Sequence, residues 1–444
     1  MRVKWLQSTL IVIVSLSLLT VCFAQSPPRK KKPIKDFGSS LKGLKSKREK
    51  PTQPEPTPAK TQDQEIDEED VIRTDTSLVS CELLVIDRRG NHVPGLTAED
   101  FLITDNNEPQ TVGHFGKGDN VNIPRTIVLV IDYSGSQVLY LKNSVAAAKV
   151  LVDKLGPSDL MAIVTDDIEL LADFTNDKKK LKDKLDSLVK KTKIDDGFGR
   201  SNPKLGGSAQ YSALMVTLNE AFDHDDLRPI VIFQTDGDEA VLLRDPVVSH
   251  SIPASVQGES LERAKAQLEQ LQKYIKKNVR DFSLEDLYRT VERSRATVYT
   301  VIPGPKLLGL TPDEQWKKAE TDEQMRLAYI LASAPPESRN KIMWGLAATA
   351  NLWRRNNAEH NAKLQDALSA VAPLSGGWTE FLEQPEQADK IYARIFSDIT
   401  QRYIVGYYPT SRTRDGKRRK IDFQVKGHPE YQILGRRSYF APIK

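Results

Sequence analysis

The fold is decided by the stretch Thr126-Ile127-Val128-Leu129-Val130-Ile131-Asp132-Tyr133-Ser134-Gly135-Ser136. Its first six residues form an unbroken apolar and β-branched run, which is typical of a strand buried on both faces of a parallel sheet. A carboxylate ends the run, and two hydroxyls follow on a glycine-containing turn. Ligands of open α/β sheets bind outside the carboxyl ends of the strands. The stretch therefore predicts a central strand and a site at its end.

Strands and helices alternate outward from this stretch. Further strands are predicted at Leu160–Thr165, Pro229–Gln234 and Thr297–Ile302, and helices at Val138–Lys154, Lys178–Val189 and Tyr211–Phe222. This alternation predicts an α/β fold with a doubly wound, mostly parallel sheet covered on both sides. We place the domain at 123–402 and predict helical insertions in it at about 240–293 and 305–373.

Short alternating segments flank this domain. Strands are predicted at Ser77–Asp87, Phe101–Thr104 and 110–115, and again at Tyr403–Tyr408, Lys420–Val425 and Tyr431–Tyr439. Alternation of apolar and polar residues indicates strands with one buried face. We therefore predict a small β-unit at 71–122, whose strands pair with C-terminal strands at 403–444.

The N-terminal residues have the pattern of an export signal. Arg2 and Lys4 precede the apolar run Leu10–Phe23, and Ala24 supplies a small residue for cleavage. The run is shorter than the roughly 20 residues that a membrane-spanning helix needs. We predict a signal peptide at 1–24 and an exported protein, periplasmic, secreted or attached to the cell surface; the alternative is an uncleaved anchor.

Residues 25–70 have a basic part, a proline-rich centre and an acidic end. Such composition predicts a disordered linker. Its basic part is expected to be solvated, and we expect membrane contact through no part of the chain except the N-terminal segment. The formal net charge of +4 over 444 residues gives no reason to expect nucleic acid as a partner. With Cys22 in the signal, Cys81 is the remaining cysteine, so no intramolecular disulfide is expected.

Two later segments complement the Asp-Tyr-Ser-Gly-Ser turn. Gly206-Gly207-Ser208 places a hydroxyl at the start of a predicted helix, and Ile232–Gly237 ends a strand at Asp236. Hard oxygen ligands of low total charge suit Mg²⁺, Ca²⁺ or Mn²⁺. The predicted metal ligands are Asp132, Ser134, Ser136, Ser208 and Asp236.

These three segments resemble the metal-ion-dependent adhesion site of von Willebrand factor A domains. The resemblance implies that Ser134 and Ser136 ligate the cation directly, and that Asp132 and Asp236 do so directly or through water. It also implies an open coordination position that takes an acidic group from a partner. Ser208 stands where the family usually has threonine, which keeps the oxygen and loses the methyl group. Mg²⁺ is the ion that we expect first.

The resemblance extends to the flanking segments. Val93–Phe101, the Asn107–Gln110 turn and the stretch Ile395–Pro409 are similar to segments of a von Willebrand factor A-related group abundant in Acidobacteria, as are 415–421 and 435–442. The match covers Leu78–Pro442 and is poor in the two insertions. It implies no particular biochemical activity.

The sequence favours a binding protein over an enzyme. Asp-Tyr-Ser-Gly-Ser is not a Gly-x-Ser-x-Gly nucleophile elbow, and the six histidines have no metal-ligand spacing. We predict no catalytic residues. The expected function is adhesion-type binding of an unknown protein, which offers Asp or Glu to the metal. The alternatives are a structural or assembly role in the cell envelope with a stabilising metal, and a hydrolase.

Overall fold

The computed structural model describes residues 33–41, 78–120, 123–191, 208–223, 226, 228–248, 257–333, 336, 339–340 and 350–443. The predicted signal peptide at 1–24 lies outside the described residues. The strands are β1 Val79–Ile86, β2 Phe101–Asp105, β3 Glu108–Gln110, β4 Val112–Lys117, β5 Arg125–Ile131, β6 Leu160–Thr165, β7 Leu170–Thr175, β8 Arg228–Gln234, β9 Thr297–Pro303, β10 Thr379–Leu382, β11 Tyr403–Tyr407, β12 Arg418–Val425, β13 Gln432–Leu434 and β14 Ser438–Phe440.

The described helices include α1 Val138–Asp153, α2 Lys178–Lys191, α3 Gln210–Glu220, α4 Glu259–Asn278, α5 Leu284–Arg293, α6 Pro312–Ser333, α7 Ala350–Ser369, α8 Val371–Ser375 and α9 Ala388–Gln401. Helices α4 and α5 lie between β8 and β9, and α6 to α8 lie between β9 and β10. These positions agree with the two predicted helical stretches. Within the described residues, no helix is both long enough and apolar enough to cross a membrane.

The central sheet has six strands in the order β10-β9-β8-β5-β6-β7. All neighbouring pairs are parallel except β6 and β7, which are antiparallel. Every residue of β8 and β9 is buried, as expected for strands covered on both faces. The predicted fold class, a doubly wound and mostly parallel sheet with helices, is confirmed.

Each face of the sheet has its own apolar core. On one face, β5 and β6 pack against α1, α2 and α9, with Leu151, Leu185 and Ile395 among the buried residues. On the other face, α3, α5, α7 and α8 cover the sheet, with Tyr211 and Leu368 fully buried. Helices cover both faces of the sheet, so a ligand can reach the sheet at the edge where the strands end.

The β-unit consists of two four-stranded sheets with the orders β13-β1-β11-β4 and β14-β12-β2-β3. Strand β1 pairs antiparallel with β11, and β2 pairs antiparallel with β12. The N-terminal strands therefore pair with C-terminal ones, as predicted. The third predicted strand, at 110–115, is divided between β3 and β4.

Two buried arginines connect the β-unit to the α/β domain. Arg228, 1% exposed, donates from Nε to Glu82 Oε1 at 2.7 Å and from Nη2 to the carbonyl of Ile399 at 2.6 Å. Arg402 is fully buried, pairs with Asp398 at 2.9 Å and donates from Nη1 to the carbonyl of Glu82 at 3.1 Å. Because a buried charge left without its partner is costly, these contacts fix the two parts relative to one another.

Residues 33–41 correct one part of the predicted disordered linker at 25–70. Ile34, Phe37 and Leu41 pack against the second core, the one that contains α3. The backbone N–H groups of Gly38 and Ser40 donate to the Glu220 carboxylate at 2.8 and 2.6 Å. Three apolar side chains within a basic stretch are enough to anchor it here, which the average composition of the segment did not indicate.

Candidate metal-binding site

The site lies at the topological switch point of the sheet. From β5 the chain proceeds to β6 on one side, while β8 flanks β5 on the other. Their last residues, Ile131 and Gln234, are in register, and Asp132 N donates to the Gln234 carbonyl at 3.0 Å. Loops that leave neighbouring strands in opposite directions open a crevice at their carboxyl ends. Asp132 and Asp236 follow these two strands and lie at this crevice.

The Asp-Tyr-Ser-Gly-Ser turn is ordered by its own first carboxylate. Asp132 Oδ1 accepts from the backbone N–H of Ser134 at 2.9 Å, a local bond that aspartate commonly makes in turns. A short 3-10 turn at Gly135–Gln137 then leads into α1. Ser134 Oγ and Ser136 Oγ lie 3.1 Å apart. The turn thus brings together the two hydroxyls that the sequence predicted.

Asp236 joins these hydroxyls from the other side of the crevice. Its Oδ2 accepts from Ser136 Oγ at 2.5 Å and from Gln137 Nε2 at 2.6 Å. The contacts therefore run from Ser134 Oγ through Ser136 Oγ to Asp236 Oδ2. Gln137 is completely buried, and its Oε1 has no hydrogen-bond partner among the residues that the structure describes.

Asp132 lies beneath this group of oxygens and is only 1% exposed. Its Oδ2 accepts from Thr235 Oγ1 at 2.8 Å and from Gln210 Nε2 at 3.0 Å. Three donors thus converge on the two oxygens of this carboxylate. Thr235 and Gln210 were not among the predicted site residues, although Thr235 directly precedes Asp236 and Gln210 begins α3.

Ser208 differs from the other predicted ligands. Its backbone is in the left-handed region at φ 48°, and its N–H donates to Asp166 Oδ2 at 2.9 Å. Asp166 Oδ1 accepts in turn from the N–H of Tyr133 at 3.1 Å. In the described part of the chain, no hydrogen bond links the Ser208 hydroxyl to the other four predicted ligands. The Ser208 backbone is therefore connected to the Asp132–Ser136 turn through the Asp166 carboxylate. Ligation of a metal by Ser208 Oγ stays a prediction.

Negative charge is concentrated around the crevice. Burial raises the pKa of Asp132 well above its usual range, and the carboxylates of Asp236 and Asp166 raise it further. Burial raises the pKa of Asp166 to about 6. The Asp236 carboxylate, with burial, raises the pKa of Asp238 to about 7, while Arg326 opposes this shift. Each of these carboxylates would ionise more readily beside an additional cation.

Both helical insertions reach this site through an arginine. From α6, Arg326 donates to the carbonyl of Ser136 at 2.5 Å and pairs with Asp322 at 2.7 Å. Arg280, between α4 and α5, pairs at 2.5 Å with the fully buried Glu239. The N–H of Glu239 donates to Gln210 Oε1 at 3.0 Å, and Gln210 in turn contacts Asp132. Both insertions are therefore connected to the site by hydrogen bonds.

These residues fit a hard divalent cation. Two hydroxyl oxygens and one carboxylate oxygen converge, with further carboxylates behind them, and this donor set suits Mg²⁺, Ca²⁺ or Mn²⁺. Across the described ranges, no group of three or more His, Cys, Asp or Glu side chains is arranged to hold a metal. A cation at this edge would therefore depend on Ser134 and Ser136 as well as on Asp236.

Comparison with known proteins gives similarity to solved structures only. No family model and no curated protein matches the chain. The von Willebrand factor domain of the type V pili tip protein Mfa5 from Porphyromonas gingivalis is 13% identical, with 62% of this chain and 96% of that chain covered and a TM-score of 0.32. An aerotolerance-related membrane protein from Bacteroides fragilis NCTC 9343 is also 13% identical, with 62% and 98% covered and a TM-score of 0.27.

A structure of three N-terminal domains of Mfa5 is 15% identical, with 41% of this chain covered and a TM-score of 0.22. The present chain spans only 29% of that structure. At these identities and TM-scores the likenesses carry no information about function. The fold assignment depends on the strand order itself, and membership of the Acidobacteria-rich group stays a prediction.

Proposed function

We propose that this chain is an exported binding module that holds a divalent cation at the crevice and offers an open coordination position to an Asp or Glu of another protein. The observation that carries the proposal is the convergence of Ser134 Oγ, Ser136 Oγ and Asp236 Oδ2 through contacts of 3.1 and 2.5 Å. Export is supported by the N-terminal sequence pattern, with a periplasmic, secreted or surface location.

Binding fits the geometry better than catalysis. A serine nucleophile needs a base within hydrogen-bond reach and a third group that orients the base. Within the described residues, Ser134 Oγ contacts Ser136 Oγ, and Asp132, the nearest carboxylate in sequence, accepts from three other donors. We therefore assign no catalytic role to Ser134.

A purely stabilising metal is the alternative, and Asp132 favours it. A carboxylate that is 1% exposed and accepts from three donors organises the loops whether or not a partner binds. A cation that only holds the loops would raise the melting temperature and leave every interaction unchanged. Envelope assembly would then be the function.

Capture from an envelope extract distinguishes these two functions. The immobilised chain is incubated with Mg²⁺ or with EDTA, using wild type, Ser136→Ala and the matched control Ser187→Ala on helix α2. A parallel extract has its carboxyl groups converted to amides beforehand. We expect one set of captured proteins that needs Mg²⁺, Ser136 and intact carboxyl groups. Capture that persists in EDTA and with Ser136→Ala would refute metal-bridged binding.

A further inference from the structure

A cavity of about 440 Å³ opens directly beside the candidate metal site. Ser136 and Asp236 belong to the wall that it shares with the site, and helices α6 and α7 contribute further walls. A volume of this order lies within the range of pockets that bind ligands, roughly 300 to 1,000 Å³. A partner side chain that reaches a cation at Ser136 and Asp236 therefore has this cavity next to it.

Arg326 of helix α6 lines this cavity and is fixed at the edge of the site. Its Nη1 donates to the Ser136 carbonyl at 2.5 Å, and its Nε donates to Asp322 Oδ2 at 2.7 Å. Among the described residues, Nη2 makes no hydrogen bond. It lies 3.9 Å from the position that a Cβ would take at Gly304, which is another residue of the cavity wall. Nε and Nη1 are therefore occupied by the protein, and Nη2 is left for a ligand.

The guanidinium of Arg326 is held in place before any ligand arrives. Asp322, its partner, is buried and also accepts from the hydroxyl of Tyr140 at 3.0 Å. The ring of Tyr140 is completely buried, and its centroid lies 5.7 Å from Arg326 Cζ, within the range of a cation–π contact. A side chain that is already fixed loses little freedom when it binds, so more of the binding energy is kept.

The surroundings of Nη2 favour an anion only when the cation is present. Asp236 and Asp238 line the same cavity and repel an anion that arrives alone. Asp236, together with burial, raises the pKa of Asp238, and Arg326 opposes the rise, so its charge acts on this wall. A divalent cation at Ser136 and Asp236 would add two positive charges here. A carboxylate has two oxygens, and a cation that binds one leaves the other for Nη2.

We propose that Arg326 determines the specificity of the site for an acidic partner residue, with Nη2 donating to one carboxylate oxygen while the other oxygen binds the cation. A charge-assisted bond of this kind is roughly twice as strong as a neutral one. Asn and Gln also have an oxygen for the cation, but their second group is an N–H donor and cannot accept from Nη2. Arg326 therefore favours Asp over Asn. The inference rests on the proposed function, which supplies the cation and the partner carboxylate.

Peptide binding and metal binding, measured separately on the full chain, test this role. Octapeptides with a fixed central Asp and random flanks are selected on the wild-type chain in Mg²⁺. The recovered peptides are synthesised with Asp and with Asn at the centre. Their Kd is measured by fluorescence anisotropy in saturating Mg²⁺ and in EDTA, and the Kd for Mg²⁺ alone is measured by calorimetry.

The test variants are Arg326→Met, which removes the charge, and Arg326→Lys, which keeps a charge beside Asp322. A single ammonium cannot replace the fork of donors that a guanidinium presents, so both variants should lose recognition. The matched control is Arg289→Met on α5, because Arg289 also pairs with an acidic residue one turn away, Glu285.

We expect the Kd of the Asp peptides to rise about tenfold or more in both variants, the scale of a hydrogen bond to a charged group. The preference for Asp over Asn should fall by the same factor. The Kd for Mg²⁺ alone should not rise, because the loss of a positive charge beside the site does not weaken the binding of a cation. Arg289→Met should change none of these values.

Three results would overturn the role of Arg326. Unchanged Asp preference in both variants, with Asp and Mg²⁺ still required, would refute it and leave the proposed function standing. An equal rise in the Kd for the peptides and for Mg²⁺ alone would show that Arg326 only supports the loop. If no recovered peptide requires both Asp and Mg²⁺ on the wild-type chain, the proposed function fails, and the role of Arg326 fails with it.

Discussion

Asp132→Asn should have little effect on stability without metal and a large effect with it. The carboxylate accepts from Ser134, Thr235 and Gln210, and an amide has only one oxygen with which to accept. At least one bond to a charged acceptor is lost, which costs about 1.5 to 3 kcal/mol. Opposing this loss, the variant no longer buries a negative charge beside Asp236, the neighbour that, with burial, raises the pKa of Asp132. We expect a net loss below about 2 kcal/mol in EDTA.

In the presence of the metal, wild type and Asp132→Asn should differ in Tm. A cation present at 100 times its Kd stabilises wild type by about 2.7 kcal/mol. For an α/β domain of about 280 residues, with an unfolding entropy of roughly 2.1 cal/mol/K per residue, that corresponds to a rise in Tm of about 5 °C. Loss of the Asp132 carboxylate, which belongs to the same turn as the two hydroxyls, should weaken binding at least tenfold, and about 1.4 kcal/mol of the stabilisation is lost for each factor of ten. The rise in Tm should therefore fall to about half or less.

The assay is thermal unfolding followed by circular dichroism, in EDTA and in a series of Mg²⁺ concentrations. Asp119→Asn removes an exposed carboxylate outside the site and serves as the matched control. An equal Mg²⁺-dependent rise in Tm for Asp132→Asn and wild type would refute the reasoning. A loss well above 3 kcal/mol in EDTA would show that the hydrogen bonds outweigh the buried charge.

Three further predictions concern other parts of the structure. Ser208→Ala should weaken the binding of Mg²⁺ about tenfold in a calorimetric titration, because the sequence predicts that its hydroxyl is a ligand; a change in Kd below about twofold would show that Ser208 contributes only through its backbone N–H. Asp159, bonded to Arg125 and to backbone N–H groups, has a pKa held below its usual range by those bonds, despite its burial. It therefore contributes stability above its unfolded pKa, and this stability is lost as pH falls. In urea unfolding, the difference in the free energy of unfolding between wild type and Asp159→Asn should shrink between about pH 5 and pH 2. A difference that stays constant over this range would contradict the prediction. Arg402→Met should lower the free energy of unfolding by about 3 to 5 kcal/mol, since it leaves the buried Asp398 without its charged partner; a loss below 1 kcal/mol in the same assay would show that the pair is dispensable.

The central sheet was predictable from sequence because its strands are long apolar runs. Thr126–Ile131 and Pro229–Gln234 are buried throughout, and each lies within one residue of the bounds that the pattern indicates. Strands β7 and β10 were missed. Strand β7 is an edge strand with a mixed burial pattern, and β10 has only four residues, so neither has a clear hydrophobic period.

The site was predictable where it depends on adjacent residues and less so where it depends on tertiary packing. Asp132, Ser134 and Ser136 belong to one turn, and Asp236 ends a neighbouring strand. Gln210 and Thr235 could not be found in this way. Nothing local shows that a glutamine at a helix start is directed at a carboxylate 78 residues away.

The contacts that arginines of the insertions make with the site could not be predicted from the sequence either. Arg326 meets the Ser136 carbonyl across a sequence separation of 190 residues. Its neighbours in α6 give no sign that one face of this helix borders a cavity, because the helix has acidic and apolar residues on several sides. Only the packing of α6 and α7 at the sheet edge reveals which residues share that face.

The pairing of the two chain ends in the β-unit has a consequence for how the protein folds. Leu96 N donates to the hydroxyl of Tyr403 across 307 residues, and β1 pairs with β11 and β13. Contacts this distant in sequence form slowly, because a long loop must close before they contribute. Strands β1 and β2 are synthesised well before β11 and β12, so they must wait for these partners. Until then their edges and the apolar face around Leu83 stay exposed, so the β-unit closes as the final step and shorter, C-terminally truncated chains should be the species prone to aggregate.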